Sequence, residues 1–282
     1  MNISKKKYFA YIGCLASISL SSLVSAGTMG TDVPSPSDRV YVGVFGGGTG
    51  ISSGDISQKG TAFFPEADGG ALAVNARGTS SNGSTWLVGG HVGYRWSSRV
   101  LDNISPQWSF SPATELEGYY LGSHTLSGVE LNNGTTRLPE HIFHVKHPEK
   151  TGVFLVNAIL NADSSRFEKF HPYIGVGIGM AVNAISGANS TQVDPYEVGI
   201  NHYNSDPSDT ALLYAAQPKV GVSFKFNKNT SMFAEYRFLY LSSADYTFGS
   251  TVYPTHVPTT NWNAKLGSQY FNMGTIGINY DL

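Results

Sequence analysis

The sequence is poor in cysteine and in charged side chains, and it has no excess of basic residues. It holds one cysteine, so no disulfide can form within the chain. Charged residues make up 13% of the chain, against about 25% in typical soluble domains. Basic residues number 18 and acidic residues 20. A nucleic-acid partner would require a basic face, and this charge balance predicts none.

Long apolar runs are also lacking, apart from one at the N-terminus. Lys5, Lys6 and Lys7 precede an apolar stretch over 8–24, and small residues end at Ala26. This pattern predicts a cleaved secretory signal peptide over 1–26. A lipoprotein site before Cys14 is the alternative, but the apolar run ahead of that cysteine is short. No later run approaches the roughly 20 residues that a membrane helix needs.

Cleavage after Ala26 changes the composition of the mature chain. It removes the only cysteine, three of the 18 basic residues and none of the 20 acidic ones. The remaining 15 basic and 20 acidic residues give a formal net charge of −5. The mature chain would therefore contain neither a disulfide nor a thiolate site.

Glycine and aromatic residues are plentiful, and apolar side chains alternate with polar or small ones. The longest example of this alternation begins at Gln217 and ends at Tyr240, reading QPKVGVSFKFNKNTSMFAEYRFLY, with a polar turn over 227–229. A period of two around a short turn indicates an antiparallel hairpin. Eight such segments are predicted as strands: 39–47, 85–96, 108–126, 151–161, 172–186, 211–226, 230–246 and 269–282.

The connections between these segments alternate between long and short. The long ones, 48–84, 127–150, 187–210 and 247–268, are polar, whereas 97–107, 162–171 and 227–229 are short. This layout predicts an all-β fold, an eight-stranded antiparallel up-and-down transmembrane β-barrel over 39–282 with four long extracellular loops. Residues 27–38 would then form a periplasmic N-terminal segment.

Two features predict which face of the strands meets lipid. The fifth segment alternates apolar residues with Gly175, Gly177 and Gly179. Inside a narrow barrel such a glycine row leaves room for side chains of other strands. Aromatic residues also bracket the apolar faces of the second and eighth segments at a spacing of ten residues, Trp86 with Trp96 and Tyr270 with Tyr280. Ten residues rise roughly 25 Å in a tilted strand, the height of the apolar band between two aromatic girdles.

The opposite faces carry charged and polar residues, which this assignment places in the lumen. Buried charges must be paired, and both signs are present. We therefore expect a hydrogen-bonded, salt-bridged plug. Its members are His91, Arg95, Glu115, Glu117, Asn157, Gln217, Lys219, Lys225, Glu235 and Arg237.

Several motifs resemble the opacity/OmpA-like outer-membrane β-barrels, a family that includes porin-like surface antigens. They are YVGVFGG, ELEGYY, HPYIGVGIGMA, the hairpin above and the C-terminal GTIGINYDL. The resemblance implies a Gram-negative outer-membrane location and a role in surface contact, adhesion or envelope structure. Family members usually end in an aromatic residue that serves the barrel-insertion machinery. This chain ends in Leu282, with Tyr280 two residues earlier.

The functional expectation is a non-enzymatic barrel without a cofactor, whose loops make the contacts. A narrow porin-like channel is the alternative, and a lipid A-modifying enzyme is a further one, with Ser123 and His124 as its nearest local residues. His141, His144 and His147 form a weak metal-site candidate, set against ordinary histidines on a solvated loop. Expected partners are outer-membrane lipid, lipopolysaccharide, the barrel-insertion machinery and a host or cell-surface ligand. We expect a monomer.

Overall fold

The computed structural model describes residues 38–97, 108–132, 134, 136–137, 139–164 and 169–282. The expected signal peptide, residues 27–37 and most of the short connection over 97–107 lie outside this part of the chain. The described residues form strands and one short 3-10 turn at Glu66–Asp68. None of their helical segments is long and apolar enough to cross a membrane.

Thirteen strands are present in the described part of the chain. They are β1 (Arg39–Ile51), β2 (Asp55–Phe63), β3 (Ala71–Ser80), β4 (Gly83–Arg95), β5 (Trp108–Asn132), β6 (His141–Ser164), β7 (Phe170–Ser186), β8 (Asn189–Asp194), β9 (Ser208–Lys225), β10 (Thr230–Leu241), β11 (Ala244–Phe248), β12 (Trp262–Leu266) and β13 (Gln269–Asp281).

Eight of these strands close into a ring. The order around it is β1, β4, β5, β6, β7, β9, β10 and β13, and β13 pairs back onto β1. Every pairing is antiparallel. Closure gives each ring strand a neighbour on both sides and leaves the ring without an open edge.

The eight ring strands correspond to the eight predicted segments, but several boundaries differ. Strand β6 begins at His141, ten residues before the prediction, and β5 continues to Asn132. Strand β10 ends at Leu241, and the alternation that follows it belongs to β11. The period of two continues beyond the ring into these longer strands and β11. Alternation alone therefore could not show where the ring strands end.

The long connections are not the loops that the sequence predicted. They contain the strands β2, β3, β8 and β12. Strand β11 pairs with β12, β12 with β2, and β2 with β3. Strand β3 pairs with the end of β5, and β8 pairs with the start of β6. A register shift in the β5–β6 pair between Leu121 and His124 marks where the ring gives way to this structure. We call it the extension: β2, β3, β8, β11, β12, residues 124–132 and 141–150, and the segments that join them.

The extension has a hydrophobic core of its own. Its buried members include Phe143, Tyr203, Phe248 and Trp262. Burying large aromatic side chains stabilises a fold built largely from polar connections. The expectation of loops without strands was therefore wrong because these few aromatic residues lie far apart in the sequence and show no period.

The outward face of the ring is apolar and the inward face is tightly packed. On β7, Ile174, Val176 and Ile178 point outward and are exposed, with Ile178 at 72%. The glycine row points inward: a Cβ on Gly177 would lie 2.0 Å from Oδ1 of Asn157. The glycines therefore make the space that inward side chains of neighbouring strands occupy.

Candidate functional site

The centre of the ring holds an ionic cluster around Lys219. Its Nζ lies 2.6 Å from Oε2 of Glu115, 3.1 Å from Oε2 of Glu117 and 3.7 Å from Oε1 of Glu235. The first and second of these carboxylates come from β5, the lysine from β9 and the third carboxylate from β10. All four side chains are buried.

Arg237 is the second cation of the cluster. Its Nη1 lies 2.8 Å from Oε1 of Glu117, and its Nε donates to Oε2 of Glu235 at 2.6 Å. The guanidinium carbon also lies 4.0 Å from the ring centroid of Phe45. Charge-assisted hydrogen bonds of this kind are the strong ones in a protein interior.

Three tyrosines complete the cluster, in addition to the lumen residues predicted from the sequence. The hydroxyl of Tyr41 donates to Glu115 at 2.8 Å, and that of Tyr173 donates to Glu235 at 2.7 Å. Tyr119 donates to the amide oxygen of Gln217 at 2.7 Å. Tyr119 shares the inward parity of Glu115 and Glu117 on β5, and Tyr173 shares that of the glycine row on β7, so the alternation contained the signal.

Three of the remaining predicted lumen residues lie in or beside the ionic cluster, and the other two lie apart from it. Gln217 and Asn157 join the cluster through hydrogen bonds to Glu117 (3.0 Å) and Glu115 (3.4 Å). His91 lies at its edge, where its Nε2 hydrogen-bonds to Asn279 at 2.8 Å and lies 4.0 Å from Glu115.

Arg95 and Lys225 lie apart from the cluster, at the opposite end of the ring from the extension. The guanidinium of Arg95 lies over the ring of Tyr41, 5.5 Å from its centroid. Both side chains are only partly buried.

Apolar side chains fill the ring between the ionic cluster and the extension. They include Leu121, Leu213, Leu239, Leu241 and Phe271, all buried. Beyond them Glu149 accepts two hydrogen bonds from Gln269 and lies 3.1 Å from Nε2 of His124. A charged layer, an apolar layer and a second polar layer thus occupy the interior in succession.

The four predicted girdle residues lie on the outward face and are exposed. Trp86 and Tyr270 are near the extension, and Trp96 and Tyr280 are at the opposite end. Tyr120 stacks edge-on against Trp86, with ring centroids 5.7 Å apart. The outward face is therefore bounded by aromatic rings at both ends.

The three histidines proposed as a weak metal site do not converge. His144 is exposed on the outer side of β6, whereas His141 and His147 point the other way. The alternative of loop histidines was also wrong, since β6 includes all three. His147 is buried against the rings of Tyr203 and Phe248, and burial lowers the pKa of its imidazole to about 4.

Ser123 and His124 likewise point to opposite faces. Ser123 is exposed, and its hydroxyl lies 3.3 Å from that of Tyr120. His124 points inward to Glu149. This pair does not bring a nucleophile and a base together.

A cavity of about 290 Å³ lies within the extension. Four titratable side chains line it: His141, Glu197, His202 and His256. His202 Nε2 is 3.3 Å from Oε2 of Glu197, and His256 Nε2 is 3.6 Å from Oε1. Of this group only His141 was singled out from the sequence, because the four residues come from three separate parts of the chain without any periodic spacing.

Comparison with known proteins gives structural likeness alone. No family model matches the chain, and no curated protein matches it. The outer membrane protease OmpT from Escherichia coli is 8% identical, with 86% of this chain and 97% of that chain covered and a TM-score of 0.39. The outer membrane protein OprG from Pseudomonas aeruginosa is 11% identical over 86% and 96%, with a TM-score of 0.34. Ail, the attachment invasion locus protein of Yersinia pestis, is 12% identical over 84% and 99%, with a TM-score of 0.27.

Proposed function

We propose that this chain is an integral outer-membrane barrel that conducts no solutes and holds the extension above the membrane as a contact surface. The filled interior of the ring carries the proposal. A pore needs a continuous polar path, whereas here the Lys219 and Arg237 cluster is followed by a layer of leucines and Phe271. Water has no continuous route through such packing.

The outward face supports the membrane location. Exposed valine, isoleucine and phenylalanine side chains cover it between the two aromatic ends. In water such a surface would be an aggregation hazard, whereas in a bilayer it is the lipid contact. No unpaired strand edge of the ring would face lipid, since the ring is closed.

The extension supports the contact role. Its exposed apolar residues include Tyr196, Val198 and Val252, with Val198 at 76%. A folded support can present such side chains in fixed positions, which lowers the entropic cost of binding. We propose a non-enzymatic role in adhesion or envelope structure, in the manner of opacity/OmpA-like surface antigens.

Cysteine labelling on intact cells tests this topology. The expected mature chain has no cysteine, so Val198→Cys and Lys228→Cys each introduce a single thiol. A membrane-impermeant maleimide should label Val198→Cys on intact cells. It should label Lys228→Cys, in the turn between β9 and β10, only after the outer membrane is permeabilised. Labelling of both on intact cells, or of Lys228→Cys alone, would overturn the proposal.

A further inference from the structure

The cavity of the extension brings one carboxylate and two imidazoles to a common point. The ligand atoms of Glu197, His202 and His256 all lie within 4.8 Å of one another. His202 and His256 cross almost perpendicularly, with ring centroids 5.4 Å apart. His141 lines the same cavity. These residues come from the connection after β8, the connection before β12 and the start of β6.

Hydrogen bonds to the backbone fix the tautomers of these histidines. Nδ1 of His202 lies 2.9 Å from the carbonyl oxygen of Ser190, and Nδ1 of His141 lies 2.6 Å from that of Pro139. Nδ1 of His256 makes the same kind of contact with Val257. A carbonyl oxygen only accepts, so each Nδ1 must carry the proton. In the neutral rings, the lone pairs are therefore on Nε2.

The Nε2 lone pairs of His202 and His256 then face the oxygens of Glu197, and lone pairs facing a carboxylate repel it. Among the described residues, Oε2 of Glu197 is buried and has no hydrogen-bond partner. A cation placed between these atoms removes the repulsion and satisfies all three. A backbone carbonyl on the other ring nitrogen is also the usual support of a metal-bound histidine.

The ring of His202 is held rigidly. It is 3% exposed and packs edge-on against Phe143 and Trp262, with centroids 5.3 and 5.8 Å away. Nε1 of Trp262 donates to Thr251, whose hydroxyl donates to the carbonyl oxygen of His202 at 3.0 Å. A ligand that cannot turn away from its position loses little entropy on binding.

We propose that Glu197, His202 and His256 form a binding site for a divalent transition-metal ion of the Zn²⁺ type. Two ligands of a tetrahedral zinc ion, each about 2.0–2.1 Å from the metal, lie roughly 3.3 Å apart. The distances from Nε2 of His202 to Oε2 of Glu197, 3.3 Å, and from Nε2 of His256 to Oε1, 3.6 Å, match this spacing for a carboxylate that faces the ion with both oxygens. Ca²⁺ and Mg²⁺ prefer oxygen ligands and do not suit a set with two imidazoles. A fourth ligand would come from the cavity, which His141 also lines.

The competing explanation is a metal-free pair of imidazolium–carboxylate contacts. Titration of the chelator-treated, full mature chain in detergent with ZnCl₂ distinguishes the two. The site predicts uptake of one equivalent, and Co²⁺ in place of Zn²⁺ should give the visible absorption of a tetrahedral ion. MgCl₂ should give no binding heat.

Variants locate the ion. His256→Ala and Glu197→Gln should each weaken zinc binding by at least about tenfold, the loss that removal of even an outer partner causes. His144→Ala is the matched control, because it removes an exposed histidine outside the cavity and should leave the affinity unchanged. His256 is partly exposed, so His256→Ala carries the test if Glu197→Gln fails to fold. Absence of uptake, or equal affinity in His256→Ala and the parent, would overturn the site without affecting the proposed barrel function.

Discussion

The guanidinium of Arg237 lies against the ring of Phe45, 4.0 Å from its centroid, and hydrogen-bonds to Glu117 and Glu235. A desolvated cation–π contact of this type contributes about 2 kcal/mol. The arginine thereby joins the ionic cluster to the aromatic packing of the same interior. Both kinds of contact together fill the ring at this level.

Removing the central cation should destabilise the ring strongly. Lys219→Met leaves Glu115, Glu117 and Glu235 with Arg237 as the remaining permanent cation of the cluster. Loss of one partner from a buried ion pair costs about 3–5 kcal/mol. Urea unfolding in lipid vesicles should show a loss of this size. The double variant Lys219→Met/Glu115→Gln should recover part of the lost stability. Lys228→Met, in an exposed turn, is the control and should leave the free energy of unfolding unchanged. Equal stability of Lys219→Met and Lys228→Met would contradict this account.

The glycine row should tolerate no side chain. A Cβ on Gly179 would lie 2.0 Å from the carbonyl oxygen of Phe154, and backbone cannot move aside as a flexible side chain can. Gly179→Ala should therefore lower the free energy of unfolding by about 1–3 kcal/mol, the usual cost of overpacking. Gly274→Ala is the control, because a Cβ there meets nothing within 4 Å. Thermal unfolding of the two variants, followed by circular dichroism, measures the difference. Similar unfolding midpoints would show that the inward side of β7 does accept a side chain at Gly179.

The ring could be predicted well from the sequence because its strands alternate with a period of two, and around the ionic cluster the inward residues are polar or small while the outward ones are apolar. Lys219 and Glu235 could be placed inside from parity alone. Parity does not give partners, however, because register and tilt decide which strands bring their charges to the same level. The extension was missed for a different reason: Trp262 and Tyr203 form its core across long sequence separations. No local pattern reports such a contact.

A charge on the outward face should be costly only where lipid surrounds it. Ile178 and Val198 are exposed to similar extents, 72% and 76%, but Ile178 lies in the middle of the ring and Val198 in the extension. Arginine at the bilayer midplane costs about 2–4 kcal/mol. Ile178→Arg should lose that much stability in vesicles, and Val198→Arg should lose none. Equal effects of the two substitutions would mean that this face does not meet lipid.

The stability of the extension should decrease as the pH rises, owing to Glu130. This carboxyl is buried on β5 between β3 and β6, and burial raises its pKa from 4.5 to about 8. The unfolded chain loses this proton near pH 4.5 and the folded chain only near pH 8, so stability falls across that interval by up to roughly 1.4 kcal/mol per pH unit. His147 acts oppositely, because its lowered pKa costs stability as the pH falls from 6.5 towards 4.

The two effects separate above about pH 7 and towards pH 8, where His147 is mostly neutral in both the folded and the unfolded chain. Glu130→Gln should flatten the decline of stability in this range, whereas Glu140→Gln, an exposed control, should not. Chemical unfolding at a series of pH values, followed by tryptophan fluorescence, measures the slopes. A parent protein whose stability does not change over this range would contradict the argument.

We propose above all that the ring is filled and conducts nothing, and single-channel recording in planar bilayers tests this most directly. The purified mature protein should insert, as shown by heat-modifiable migration of the same preparation in SDS gels. It should then give no stable conductance steps at any applied voltage. Reproducible steps that depend on protein concentration would contradict the account and identify the chain as a narrow channel.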